Sequence, residues 1–149
     1  MKSLFIATLL VLTTNLSSTA QTATLVDKGS IRTPRGIGGY KEISYAFAKG
    51  DIVTLNAQSN KLLGRIMVTL YPEKVIERVK WARNTTTTFT VPEEGFVVIR
   101  FISDRSGVAT VNYTVTRTPG PGAPANYNTK VNWEKPTGSI GTLVPKRAE

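Results

Sequence analysis

Apolar and polar residues alternate with a period of two along most of this chain. In Val108 to Thr116, Ala109, Val111, Tyr113 and Val115 share one face and Thr110, Asn112, Thr114 and Thr116 the other, as in a half-buried strand. The pattern recurs in 42–48 with Ile43, Tyr45 and Phe47, in 52–57 with Val53, Leu55 and Ala57, and in 65–71 with Ile66, Val68 and Leu70. Lys49-Gly50-Asp51 reads as a turn between the first two, and Thr22 to Val26 as a short first strand. The glycine-rich stretch Lys28 to Tyr40 and the polar stretch Gln58 to Gly64 read as loops. Thr85 to Ser103 reads as a hairpin, with Pro92 and Gly95 supplying the turn chemistry. Its second arm, Phe96-Val97-Val98-Ile99, is apolar at successive positions. That predicts a central strand covered on both faces, with Phe96 and Val98 between two layers.

Pro72 to Arg83 fits two periods. Val75, Ile76, Val79 and Lys80 have helical spacing, while Val75, Glu77 and Val79 alternate as an edge strand; in a chain this rich in strands, the expectation is strand plus loop. Composition shifts at Thr118. From there to Glu149 the chain holds five prolines and four glycines in 32 residues, so 118–149 is expected to be a linker and disordered tail. Seven or eight short strands with frequent turn signals predict an all-β fold, an antiparallel sandwich spanning residues 21–117.

Met1 to Ala20 has the layout of a secretory signal: Lys2, the apolar run Leu4 to Leu12, and the small residues Ser18-Thr19-Ala20 before Gln21. The apolar run is too short to span a bilayer, so cleavage would leave no transmembrane segment. The segment resembles the signals of exported bacterial proteins of the Bacteroidota type, which implies a periplasmic, cell-surface or secreted location. The formal charge is +9, and removal of Lys2 leaves 18 Lys and Arg against 10 Asp and Glu, or +8. A balance this basic serves solubility and suits anionic surfaces. Its spread along the chain gives no clustered nucleic-acid footprint.

The corner Phe47-Ala48-Lys49-Gly50-Asp51, the strand Arg65 to Pro72 and the stretch Phe89 to Phe96 resemble the GOLD domain and the pre-peptidase C-terminal domain. The resemblance covers about Tyr40 to Thr116. It implies a jelly-roll-like sandwich with a non-catalytic interaction role, and carries over no binding residue.

The chain has no cysteine and no histidine, which removes thiol nucleophiles, thiolate metal sites and every His-based catalytic arrangement. Glu93-Glu94 and Glu73/Glu77 are the carboxylate pairs, and a glycosidase needs two carboxylates facing across a cleft. Adjacent glutamates in a solvated turn do not meet that requirement. Acids are too dispersed for a calcium loop, and no cofactor is expected. Asn84-Thr85-Thr86 and Asn112-Tyr113-Thr114 match the glycosylation sequon, which would be a chance match in a bacterial protein, as the signal-like segment implies.

The aromatic residues carry the functional lead. Tyr71 and Trp81 flank a segment with Lys74, Arg78 and Arg83, and Trp133 stands in the polar tail. Aromatic faces beside hydrogen-bond donors bind sugar rings or cations; the alternative for Trp81 is a cap on the core. Trp133 either docks back on its domain or anchors a partner. The expectation is a non-catalytic exported interaction module whose partner is another envelope or secreted protein. Its alternatives are a module for polysaccharide or an anionic surface and, against the missing His and Cys, a hydrolase.

Overall fold

The computed structural model describes residues 21–36, 38–103, 107–134 and 143–149, apart from the side chains of Trp81 and Ala82. The signal-like segment and residues 104–106 lie outside them. The described residues form strands β1 (Thr24–Arg32), β2 (Tyr40–Phe47), β3 (Ile52–Leu70), β4 (Lys74–Thr90), β5 (Gly95–Ser103), β6 (Thr110–Thr118), β7 (Val131–Glu134) and β8 (Val144–Arg147), with no helix. The ambiguous segment after Pro72 is strand.

All pairings are antiparallel, and one long hairpin, β3–β4, organises them. Ile52–Ser59 of β3 pairs with β6, while Leu63–Leu70 pairs with β5. β4 follows β3 along nearly its whole length. The sheet thus curls into two layers, β1-β6-β3-β4 and β2-β5-β3-β4, that share the hairpin. The polar stretch 58–64, expected as a loop, is continuous strand. Register shifts between Gln58 and Leu63 mark where it bends from one layer to the next, the usual role of a bulge at a corner.

Inward residues of both layers form one core: Val53, Leu55, Val111 and Val115 from the first layer, Ile66, Val68, Val97, Ile99 and Phe101 from the second. Phe101 and Tyr113 bring their ring centroids to 6.1 Å. The period-two assignments in β2, β3 and β6 match this core. The hairpin expected over 85–103 is corrected: β4 pairs with β3, and β5 pairs with β2 and β3, so the Pro92 turn carries the chain between layers. β5 does lie inside its layer, with Val97, Val98 and Ile99 buried. Phe96 and Val98, however, fall in the outward phase, opposite Ala46 and Ser44.

The first strand runs on through Lys28–Arg32, which had read as loop, because β6 supplies a partner along its length. Gly29 is required there: a Cβ would lie 2.7 Å from the Tyr113 hydroxyl. On the open side of the curl, Asp27 of β1 accepts hydrogen bonds from Tyr45 of β2 at 2.7 Å and from Tyr113 at 3.1 Å. Burial, then these bonds, raise the pKa of both tyrosines above the ordinary phenol value.

Asp51 forms the second polar junction. Its carboxylate accepts from Arg117 Nε at 2.6 Å and from a terminal guanidinium nitrogen at 3.0 Å, and from the backbone N–H groups of Ala48 and Gly120. Both side chains are shut off from solvent. Arg117 also donates to the carbonyls of Pro124 and Ala125, so the proline-rich stretch after Thr118 lies along the sandwich. The Cβ that any other residue would place at position 120 would lie 2.3 Å from the Gly50 carbonyl carbon.

Candidate functional site

The route from Arg117 leads to a hairpin. Tyr127 stands between Arg117 and Arg147, whose guanidinium carbons lie 5.3 and 4.4 Å from its ring centre. Its hydroxyl donates to Glu94 at 2.8 Å and receives a hydrogen bond from Arg147. Burial, then the bond to Glu94, pushes the Tyr127 pKa up to about 12. Hydrogen bonds from Arg147 and Tyr127 pull that of Glu94 down. The Ala46 N–H donates to the Thr129 carbonyl at 2.9 Å, and β7 then pairs with β8, Trp133 opposite Pro145.

This seats Trp133 over the outer face of the second layer. Tyr71 arrives from the opposite direction, at the end of β3, its N–H bonded to the Phe96 carbonyl at 2.8 Å and its peptide bond to Pro72 cis. The two rings meet edge to face, with centroids 5.9 Å apart and planes at 73°. Between them opens a cleft of about 700 Å³. Pro72, Val98, Val131 and Leu143 supply apolar wall, and Glu42, Ser44 and Arg100 a polar rim. Arg100 Nε donates to Glu42 at 2.9 Å, and its guanidinium stacks on the Tyr40 ring at 5.3 Å. An apolar cleft with a few convergent polar groups is the usual form of a small-ligand site.

Of the residues singled out in the sequence, Tyr71 and Trp133 come together here. Lys74 pairs with Glu93 at 2.8 Å across the solvated turn, which draws the Glu93 pKa down. Arg78 is exposed opposite Met67, on the face that Arg100 shares. Arg83 is exposed where β4 bends between layers. The Trp81 side chain lies outside the described residues. Arg100, Glu42 and Ser44 were missed; their signal was the outward phase of β2 and β5, in alternation with the inward Ile43, Tyr45, Ile99 and Phe101.

A second, wider cleft of about 820 Å³ lies over the outer face of the first layer, where Asn56, Gln58, Asn84, Thr86, Asn112 and Thr114 converge. Asn56 accepts from Thr86 at 2.7 Å. Both sequon asparagines, Asn84 and Asn112, stand on this face. Among the described residues no three acidic side chains gather as a metal site would, and no helix is long and apolar enough to cross a membrane.

No family profile and no curated protein matches the chain. Among solved structures, it is similar to a family two carbohydrate esterase from Cellvibrio japonicus, at 18% identity and a TM-score of 0.39. That likeness covers 68% of this chain and 34% of the esterase, so the chain spans about a third of that protein's length. It is also similar to the C-terminal CBM6 of LamC, a marine laminarinase from Zobellia galactanivorans, at 14% identity and a TM-score of 0.41, over 64% of this chain and 93% of that one. Neither is described as a GOLD or pre-peptidase C-terminal domain. What the structure defines is an all-β, jelly-roll-like sandwich.

Proposed function

We propose that this chain is a non-catalytic, exported binding module that holds a carbohydrate in the cleft between Tyr71 and Trp133. The observation that supports it most is the seating of Trp133: a half-buried tryptophan, set edge-on to Tyr71 above a polar rim. Aromatic walls take the apolar face of a sugar ring, and Ser44, Glu42 and Arg100 provide acceptors and donors for its hydroxyls. The chain of contacts Asp51–Arg117–Tyr127–Glu94–Arg147 holds the hairpin before any ligand arrives, which lowers the entropy lost on binding. The absence of His and Cys from the sequence, with the one rim carboxylate bound to Arg100, supports binding without chemistry.

The test is affinity electrophoresis of the full chain against a panel of soluble polysaccharides. Retardation by at least one of them, lost in Trp133→Ala and Tyr71→Ala with the urea midpoint preserved, is the expected result. Wild-type mobility unchanged across the panel overturns the reading. A second reading, docking of another exported protein, is favoured by the outer edge of β4, which among the described residues pairs only with β3 and can accept an added strand. Co-purification of a partner with the wild-type chain, and with Trp133→Ala equally, selects it.

A further inference from the structure

The outer face of the second layer has a charge pattern that the cleft alone does not explain. Two cross-strand rows run beside the Trp133 hairpin. In one, Lys80 stands opposite Arg65, Arg65 opposite Ile102, and Ile102 opposite Tyr40. In the other, Arg78 stands opposite Met67, Met67 opposite Arg100, and Arg100 opposite Glu42. Ile66 and Val68 are buried in the core, so positions 65 and 67, and their partners, face outward. The rows therefore bear four cations and one carboxylate, and that carboxylate is already bonded to Arg100. Arg65, Arg78 and Lys80 pair with no carboxylate among the described residues.

Like charges on directly opposed strand positions, such as Arg65 and Lys80, destabilise a sheet. A face that retains them is complementary to an anion. Neighbouring strands stand about 4.8 Å apart and alternate residues about 6.8 Å along a strand, so the cations form a grid and not a point site. Arg100 belongs both to the grid and to the rim of the aromatic cleft, which makes the two surfaces continuous.

We infer that the ligand of this face is an acidic polysaccharide of the uronate type, one sugar ring lodged against Trp133 and Tyr71 and the carboxylates of neighbouring residues met by Arg100, Arg78, Arg65 and Lys80. This rests on the carbohydrate-binding reading above and adds the charge of the chain. Guanidinium groups match a carboxylate with two parallel hydrogen bonds. The Nε of Arg100 is held by Glu42 and its plane by Tyr40, so its terminal nitrogens are presented in a fixed orientation. A nucleic acid or an anionic bilayer would be drawn by the same charge but has no pyranose ring for the cleft.

The experiment compares the full chain, Trp133→Ala, and the triple variant Arg65→Gln/Arg78→Gln/Lys80→Gln in titrations with polygalacturonate, a neutral glucan, a sulfated galactan, single-stranded DNA and phosphatidylglycerol vesicles at low and high salt. All three altered side chains are exposed, and urea melts verify that the triple variant folds. The inference predicts salt-sensitive binding of polygalacturonate, tighter than any other probe, weakened about tenfold or more in the triple variant and also weakened by Trp133→Ala. Binding of the glucan equal to that of polygalacturonate, with the triple variant unaffected, overturns the acidic ligand and leaves the carbohydrate module standing. Tighter binding of the sulfated chain, the DNA or the vesicles overturns the uronate assignment. No binding of any polysaccharide overturns both readings.

Discussion

Replacing Asp51 by Asn keeps the size of the side chain and removes its charge, which isolates what the buried ion pair does. Arg117 is 1% exposed and Asp51 fully buried. In the variant the guanidinium remains charged, without its counter-ion, among Pro124, Ala125 and the Tyr127 ring. Breaking a buried pair by removing one partner costs about 3–5 kcal/mol, a large share of the roughly 5–15 kcal/mol that holds a domain together. Exchanging both members for apolar residues often restores stability elsewhere, but not here. Asp51 also accepts the N–H groups of Ala48 and Gly120, and Arg117 also serves two carbonyls. Each such group left buried and unpaired costs about 1–3 kcal/mol, so Asp51→Leu/Arg117→Met is expected to be no more stable than Asp51→Asn. Urea melts followed by tryptophan fluorescence and circular dichroism measure this. Glu93→Gln at the exposed Lys74 pair is the control, expected to leave the urea midpoint close to that of wild type. An Asp51→Asn midpoint that matches the control would refute the reasoning, since a charge cannot be both buried and indifferent to its partner.

Two further outcomes are expected. Gly120→Ala places a methyl group against the Gly50 backbone, which cannot move aside as a side chain can. It should loosen 119–134 and expose the Trp133 hairpin to limited proteolysis, and a digestion pattern identical to wild type would contradict the packing. Tyr45 and Tyr113 hold their protons more tightly when folded, chiefly through burial. The unfolded tyrosine ionises near pH 10, so above that pH the unfolded chain releases protons that the folded chain keeps, and stability falls as pH rises. The fall should be shallower in Tyr45→Phe, and equal slopes in the two proteins would exclude this origin.

Strand phase was legible wherever one face is apolar: Ile43, Tyr45 and Phe47, or Val111, Tyr113 and Val115, needed only the period of two. Pairing was less so. Thr85–Thr90 and Phe96–Ser103 are adjacent in sequence and β-rich, as hairpin arms are, yet each pairs with β3. Nothing local in an apolar strand states which layer it joins. The bend in β3 was hidden because its corner, Gln58 to Gly64, has the polarity of a loop; the strands it pairs with, β4, β5 and β6, all come later in the chain. Of the cleft, the aromatic residues were visible and their meeting was not. Trp133 reaches Tyr71 along a stretch that Arg117 anchors at the carbonyls of Pro124 and Ala125, and the alternation of β6 says only that Arg117 points in. The partner that makes a buried arginine tolerable, Asp51, looked like an ordinary turn aspartate, and the Ala48 N–H does bond to it in that way.

The shared β3–β4 hairpin has a consequence for how the molecule comes apart. In a sandwich of two separate sheets, one sheet can in principle peel away while the other keeps its ladder. Here each layer contains half of β3 and half of β4, so removing either layer requires the other to surrender the continuation of its own central strand. The backbone ties the two ladders into one cooperative unit, without a cleavage plane along which partial opening is easy. Damage to β5 at one end is therefore felt by β1 at the other. The outer faces can vary in their side chains without changing that, because the cooperativity belongs to the path of the chain.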